Sequence, residues 1–249
     1  MMAKLILFDI DGTLVLTGGA GLRAMNRAFE RTFDVVGAFE GVEMPGRTDQ
    51  TIISDALSHA GLRPGPKKLA RFRDTYCAYL REEILKPGPR KGVMPGVRPL
   101  LESLSTRADV HLALLNGNFA ESARIKLEHF ALWDYFLCGA YGDDAADRNH
   151  LIPIALKRVD EHGVPPVALR DVLVVGDTPR DVECARTTGA RSVAVATGHF
   201  DTSDLRAAGA EVVLETLETI EEFLVMLEPT PRVSSFGSRR HALLRDEAP

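Results

Sequence analysis

A short apolar run near the N-terminus, Leu5–Phe8, ends directly in the motif Asp9-Ile10-Asp11-Gly12-Thr13. Such a run is typical of a strand that is buried on both faces of a parallel sheet. Because open α/β sheets bind ligands at the carboxyl ends of their strands, this strand would deliver two carboxylates to a ligand-binding edge. Asp-Gly also occurs in surface turns, but a turn leaves Asp9 unexplained, since it follows Phe8 with no turn residue between them.

A second acidic cluster follows another apolar run. Val174-Val175-Gly176 leads into Asp177-Thr178-Pro179-Arg180-Asp181, which predicts a strand that ends in acids before a helix near Arg180. If both strands end at one sheet edge, carboxylates about 4 Å apart repel by roughly 4 kcal/mol per pair at an effective dielectric near 20. A cation among them, or protonation of some, would relieve this repulsion, and all-oxygen ligands favour Mg²⁺. The alternative is that Asp177 and Asp181 only cap the following helix.

The rest of the chain divides into a helical insertion and an alternating region. Between about residues 20 and 86, apolar side chains recur at helical spacing in three stretches, and a breaker-rich segment, 86–96, follows them. From residue 97, strands alternate with helices, which implies right-handed crossovers and a parallel sheet. The predicted strands are 4–9, 110–115, 135–138, 172–175, 192–196 and 212–214. The predicted helices of the alternating region are 97–104, 119–131, 150–159, 180–188, 202–208 and 217–227.

Charge and cysteine content narrow the function classes. The 249-residue chain has a net charge of −5, which gives no support to nucleic acid or an anionic membrane as a partner. No apolar run approaches the roughly 20 residues that span a bilayer. Cys77, Cys138 and Cys184 are far apart, lack metal-binding spacing and are interpreted as packing residues of a reducing compartment. We therefore expect a cytoplasmic protein.

The two acidic motifs and the elements around them resemble the haloacid dehalogenase-like (HAD) hydrolase superfamily, within it the phosphoglycolate phosphatase-like branch. The resemblance extends over about residues 4–227. It implies an α/β fold in which a Rossmann-like parallel-sheet core carries an inserted α-helical cap domain. The core would comprise residues 1–16 and 95–228, and the cap residues 17–94. Residues 229–249 are rich in Pro, Ser and Arg and are predicted to be a disordered tail.

The resemblance also assigns roles to the four acids. Asp9 would be a nucleophile that forms an aspartyl-phosphate intermediate. Asp11 would protonate the leaving alkoxide, then activate water, and its backbone carbonyl would ligate the metal. Asp177 would be a direct or water-linked ligand of Mg²⁺, and Asp181 would support that shell.

Three further residues are predicted to bind the phosphoryl group. Asn116 follows the strand 110–115 at a position where the family usually has Thr or Ser. Its amide can still donate a hydrogen bond to phosphate, and Gly117 offers its backbone N–H. The alternative is a plain turn with Asn118 as the helix N-cap. The segment 143–149 resembles the branch in which an arginine, here Arg148, stabilises the transferring group.

Other polar residues near the predicted site receive weaker assignments. Lys157 is an alternative to Arg148 as the phosphate-binding cation. Gly46-Arg47-Thr48 resembles a substrate-facing cap loop, in which Arg47 could bind a substrate carboxylate or second phosphate. His199 follows a strand, but a lone histidine there is given no catalytic role.

These expectations favour Mg²⁺-dependent hydrolysis of a small phosphomonoester by a HAD-type phosphoric monoester hydrolase. A 2-haloacid dehalogenase shares the aspartate nucleophile but needs neither Mg²⁺ nor an acid at the position of Asp11. A sugar-phosphate mutase shares the core and differs mainly in the cap. A non-catalytic phosphometabolite-binding protein is prompted by Asn116 in place of Thr or Ser. The expected partner is a phosphorylated small molecule; the sequence indicates neither which one nor the oligomeric state.

Overall fold

The computed structural model describes residues 3–227, and the predicted tail, 229–249, lies outside the described residues. The fold is α/β. The strands, numbered in chain order, are β1 (Lys4–Phe8), β2 (Val15–Leu16), β3 (Gly92–Val93), β4 (Val110–Leu115), β5 (Gly139–Ala140), β6 (Val172–Gly176), β7 (Arg191–Val195) and β8 (Val212–Leu214). The helices are α1 (Ala20–Phe33), α2 (Asp49–His59), α3 (Pro66–Glu83), α4 (Val97–Ser105), α5 (Ala120–His129), α6 (Leu151–Glu161), α7 (Pro179–Thr188), α8 (Thr202–Ala207) and α9 (Ile220–Val225).

A six-stranded parallel sheet in the order β5-β4-β1-β6-β7-β8 forms the core of the described chain. β1 lies between β4 and β6, with Leu7 in register with Ala113 on one side and Val174 on the other. Its residues Leu5 to Phe8 are fully buried, as expected for a central strand covered on both faces. The polar residues that follow β1, β4 and β6 are therefore gathered at one edge of the sheet.

The predicted elements of the alternating region are found with shifts of a few residues at their ends, and one prediction is wrong. Residues 135–138 do not form a strand. A 3₁₀ turn occupies Trp133–Tyr135, and the strand, β5, is only Gly139–Ala140. Tyr135 and Phe136 pack against the core. Leu137 and Cys138 already exchange backbone hydrogen bonds with Leu112 and Leu114 of β4, so the predicted strand is displaced toward Gly139–Ala140.

The helical cap is inserted between the first strand of the sheet and the rest of the core. A two-stranded antiparallel ribbon of β2 and β3 joins the two connections, pairing Val15 with Val93. Helices α1, α2 and α3 share one hydrophobic cluster, which also includes Phe119 and Ile125 from the α5 region of the core. The assignment of residues 17–94 as a separate domain stays a prediction. Within 3–227, every helix is too short or too polar to cross a membrane, and the cytoplasmic location stays a prediction.

Candidate active site

Asp9 lies at the end of β1, where the sheet continues for one more hydrogen bond from its N–H to the carbonyl of Val175 at 2.9 Å. The residue is only 5% exposed. Its Oδ1 accepts a hydrogen bond at 2.9 Å from Nη2 of Arg148. Burial raises the pKa of Asp9 to about 7, although the Arg148 charge opposes the shift; Asp181 and Asp11 add to it. The predicted nucleophile is thus held at the sheet edge beside a guanidinium.

The side chains of three predicted metal ligands converge. Carboxylate oxygens of Asp9, Asp177 and Asp181 all lie within 4.8 Å of one another, and all three residues are buried. Burial raises the pKa of Asp177 well above its ordinary value, and the charge of Asp9 adds to the effect. We call these three carboxylates the acid group. A bound cation stabilises such a set of buried acids, and ligands that are all oxygen atoms suit Mg²⁺.

Glycines allow the backbone to approach Asp177 closely. A Cβ at Gly12, whose φ is +89°, would lie 2.4 Å from Oδ2 of Asp177, and one at Gly198 would lie 1.7 Å from the same atom. The other oxygen, Oδ1, accepts a hydrogen bond at 2.9 Å from the hydroxyl of Thr13. The Gly12-Thr13 pair of the first motif therefore positions the acid of the second motif.

Asp181 has two roles in the structure. Its Oδ2 accepts hydrogen bonds from the backbone N–H of Thr178 at 3.1 Å and from the Thr178 hydroxyl at 2.7 Å, which completes a capping box at the start of α7. Its Oδ1 accepts a hydrogen bond from Arg148. The helix-cap interpretation is therefore correct for Asp181, but the carboxylate also belongs to the acid group.

Arg148 is the buried cation of this group. It is 6% exposed, and its Nη2 also donates to the carbonyl of Leu115 at 3.0 Å. Nη1 donates to the carbonyl of Gly46 at 3.3 Å, which links the core to the cap. Lys157, the alternative cation, instead has a side chain that is 78% exposed and lies 3.7 Å from Glu161.

The carboxylate of Asp11 is not part of the acid group. Its Oδ1 and Oδ2 accept hydrogen bonds from Nζ of Lys126 at 2.8 and 2.6 Å, and Oδ2 accepts another from Nδ2 of Asn118 at 2.9 Å. Lys126 Nζ also donates to Oδ1 of Asn118 at 2.6 Å, which closes a three-residue network. The side chain of Asp11 remains 42% exposed and lines the adjoining cavity.

Sequence reasoning missed Lys126 and misplaced Asn118. Lys126 is 4% exposed and lies one helical turn after the buried Ser122 in α5, a spacing that puts both on one face. A lysine in an amphipathic helix is usually solvated, so this spacing gave only a weak signal. Asn118 is not the N-cap of α5, which is Phe119; its side chain faces Asp11 instead.

Asn116 and Gly117 lie at the end of β4, beside the acids. Oδ1 of Asn116 accepts the backbone N–H of Asn118 at 3.0 Å. Its Nδ2 is buried and has no hydrogen-bond partner within residues 3–227, an arrangement that an acceptor from a ligand would satisfy. At Gly117, a Cβ would lie 2.1 Å from the carbonyl oxygen of Arg47, so the cap rests directly on this loop.

Asp49, the first residue of α2, anchors the cap to the same loop. Its N–H donates to the carbonyl of Gly117 at 2.7 Å. Its Oδ2 accepts hydrogen bonds from the N–H of Phe119 at 2.9 Å and from the hydroxyl of Ser122 at 3.3 Å. Burial raises the pKa of Asp49 to about 6, although the charge of Lys126 opposes the shift. A cap residue thus binds the start of a core helix, which no local sequence pattern indicates.

A cavity of about 690 Å³ lies between the sheet edge and the cap. Asp9, Asp11, Asp177 and Arg148 line its floor, and residues of α1 and α2 line the opposite side. Arg47 also lines it, but its Nη2 is 2.7 Å from Oδ2 of Asp55. His199 borders the cavity as an exposed residue.

The protein therefore has an α/β fold with a helical insertion above one edge of its parallel sheet. The site at that edge consists of buried carboxylates and a buried arginine, which could bind a ligand. The family profile of haloacid dehalogenase-like hydrolases matches residues 6–195. The chain therefore belongs to that family, which confirms the resemblance and the predicted fold class.

Named relatives place the chain in the predicted phosphoglycolate phosphatase-like branch. It is 29% identical over 212 residues to "Phosphoglycolate phosphatase" of Synechococcus elongatus, covering 85% of this chain and 92% of the relative. It is 27% identical over 220 residues to "Probable phosphatase IndB" of Dickeya dadantii, covering 88% and 92%. The fold is similar to that of CbbY of Rhodobacter sphaeroides, solved in complex with xylulose-(1,5)bisphosphate, with a TM-score of 0.67 at 19% identity over 88% of this chain and 96% of that one.

Proposed function

We propose that this protein is a Mg²⁺-dependent phosphatase that hydrolyses a small-molecule phosphomonoester through an aspartyl-phosphate on Asp9. The main support is the arrangement at the sheet edge. The buried Asp9 carboxylate lies 2.9 Å from the Arg148 guanidinium and forms a three-acid group with Asp177 and Asp181. Phosphatase names among the relatives also support this reaction class.

The acid group would hold the metal. Asp9 and Asp177 would ligate Mg²⁺, with the backbone carbonyl of Asp11 as a further ligand and Asp181 supporting the shell. When bound, the ion would neutralise the charge between a carboxylate nucleophile and a phosphate dianion and orient the phosphorus. Asp181 already binds Thr178 and Arg148, which suits a supporting role better than direct ligation.

The phosphoryl group would lie against donors from two loops. Arg148 donates from beside Asp9, and its second nitrogen is fixed to the cap at Gly46. The Nδ2 group of Asn116 is a buried donor that has no partner in the described chain, and Gly117 would add its N–H. A fixed donor set of this kind stabilises charge that develops on the transferring group.

Asp11 would act as the general acid and then as the base. Its carboxylate lines the cavity and would reach the leaving oxygen of the ester. Lys126 and Asn118 hold both of its oxygens. We infer that they orient this carboxylate, so Lys126 would be a positioning residue.

The three alternative functions would give different results in an assay. A 2-haloacid dehalogenase needs no acid at the position of Asp11 and would release halide without Mg²⁺. A sugar-phosphate mutase would convert one phosphate isomer into another without net release of phosphate. A non-catalytic phosphometabolite-binding protein would bind phosphoesters without turnover.

The test is release of inorganic phosphate from p-nitrophenyl phosphate and a panel of metabolite phosphomonoesters, with Mg²⁺ and with EDTA. We expect turnover that requires Mg²⁺. Borohydride reduction during turnover should convert an acyl phosphate at position 9 to homoserine, which peptide mass spectrometry detects. Asp9→Asn should abolish both signals while circular dichroism stays unchanged. Full turnover by this variant, or none by the wild type on any ester, would refute the proposal.

A further inference from the structure

The cap side of the cavity is mainly apolar. Six side chains from α1 to α3 and the intervening loop line it: Leu22, Met25, Val42, Met44, Ile52 and Tyr76. Leu22 is 42% exposed, which is unusual for a large apolar side chain. Val42 and Met44 are half-buried. Met25, Ile52 and Tyr76 are buried members of the hydrophobic cluster of the cap. The apolar surface that Leu22, Val42 and Met44 leave exposed at the cavity is available to a ligand.

Most charged side chains around this wall are already paired with a neighbouring charge. Arg47, the cation of the cap side, is paired with Asp55 at 2.7 Å, and Lys126 is paired with Asp11. The cap side also presents Glu43 to the cavity, and its Oε1 lies 3.3 Å from Nη2 of Arg180. Arg90, another cation that lines the cavity, donates to the neutral carbonyl of Thr197 at 2.8 Å, which ties it to the core loop that follows β7.

We propose that the leaving alcohol of the substrate is uncharged and largely apolar, an alkyl or aryl group that packs against the cap wall. This inference rests on the proposed phosphatase function. With the phosphate beside Asp9 and Arg148, the leaving group extends toward Leu22 and Met44. An anionic leaving group such as glycolate, placed against these apolar side chains, would lose hydration without gaining an ionic partner from them.

The experiment compares kcat/KM of the full-length protein with Mg²⁺ for ethyl, butyl and 2-phenylethyl phosphate and for 2-phosphoglycolate. All four esters release an alkoxide, so leaving-group chemistry varies little. We expect kcat/KM to rise about threefold to fourfold per added methylene and phosphoglycolate to rank below butyl phosphate. A preference for phosphoglycolate over both butyl and 2-phenylethyl phosphate would overturn the inference. It would leave the phosphatase function intact, because p-nitrophenyl phosphate and the esters would still be hydrolysed. No turnover of any ester would overturn both.

Variants of Leu22 test whether the wall contacts the leaving group. Leu22→Ala removes apolar surface, and Leu22→Lys also adds a cation; the exposed position should allow both to fold. We expect both to lower kcat/KM for 2-phenylethyl phosphate about threefold to tenfold, mainly through KM. Leu22→Lys alone should raise kcat/KM for phosphoglycolate. Val36, which is 79% exposed and does not line the cavity, provides the control Val36→Lys. An unchanged substrate ratio in both Leu22 variants, or an equal shift in Val36→Lys, would overturn the inference.

Discussion

The carboxylate of Asp49 joins the cap to the core, and replacing it with asparagine should change how the free energy of unfolding depends on pH. Asp49 is 5% exposed and binds the N–H of Phe119 and the hydroxyl of Ser122. An asparagine oxygen can accept the same hydrogen bond from Phe119. Asp49→Asn therefore removes the titration while keeping the main contact.

The direction in which stability changes with pH follows from the linkage between protonation and folding. Burial raises the pKa of Asp49 from 3.8 to about 6 in the folded protein. Below about pH 4 the group is protonated in both states. Between pH 4 and 6 the unfolded chain has lost this proton while the folded chain keeps it, so stability falls as pH rises. Above pH 6 the ionised Asp49 lowers the free energy of unfolding by its full amount, roughly 3 kcal/mol for a shift of about two pKa units.

The assay is urea unfolding at pH 4, 5, 6 and 7, followed by circular dichroism, for the wild type and Asp49→Asn. The free energy of unfolding of the variant, relative to wild type, should rise by roughly 3 kcal/mol from pH 4 to 7. Other titrating groups contribute equally to both proteins and cancel in this difference. Asp74→Asn, at an exposed position of α3, is the matched control and should give a flat difference. Parallel pH curves for Asp49→Asn and wild type would refute the assigned burial of this charge.

Four further outcomes concern catalysis. Lys126→Met should lower kcat about tenfold to a hundredfold for alkyl phosphates and less for p-nitrophenyl phosphate, because it frees the predicted acid Asp11; an equal loss on both esters would contradict the positioning role. Arg148→Lys should lower kcat about a hundredfold, since an ammonium cannot reproduce the guanidinium contacts to Asp9, Leu115 and the cap; steady-state kinetics would check this, and an unchanged kcat would count against the assignment. Asn116→Thr should keep or raise kcat in the same assay, and a large loss would mean that this chain uses the amide in its own way. EDTA should abolish turnover, and Mg²⁺ should restore it.

Most of the fold could be predicted because local patterns and the sheet topology agree. The run before Asp9 is continuously apolar because β1 lies between β4 and β6 with both faces covered. The same rule places the acids after β1 and β6 at one edge. The error at 135–138 is one of position, because the backbone of this segment meets β4 only from Leu137 onward and the strand itself is Gly139–Ala140.

Only those residues of the site that belong to local sequence motifs could be predicted. Asp9 and Asp177 each follow an apolar strand, so their meeting follows from strand adjacency. Lys126 and Asn118 surround Asp11 from a helix and a loop more than a hundred positions away. Asp49 reaches α5 from the cap. Contacts of this kind depend on how elements pack, and a single sequence carries no periodic signal for them.

The charged side chains of the site form two groups that differ in net charge. Asp11 and Lys126 form one pair, which is neutral as it stands. Asp9, Asp177 and Asp181 share a single buried guanidinium, that of Arg148, and therefore carry two excess negative charges when all three are ionised. In a buried setting such an excess is removed either by protons, which the raised pKa values of Asp9 and Asp177 favour, or by a divalent cation. A single Mg²⁺ would balance this charge, and Asp9 would then be ionised as a nucleophile requires. The same ion would leave the Asp11–Lys126 pair unchanged. The carboxylates that would bind the metal are therefore distinct from the carboxylate that would transfer protons.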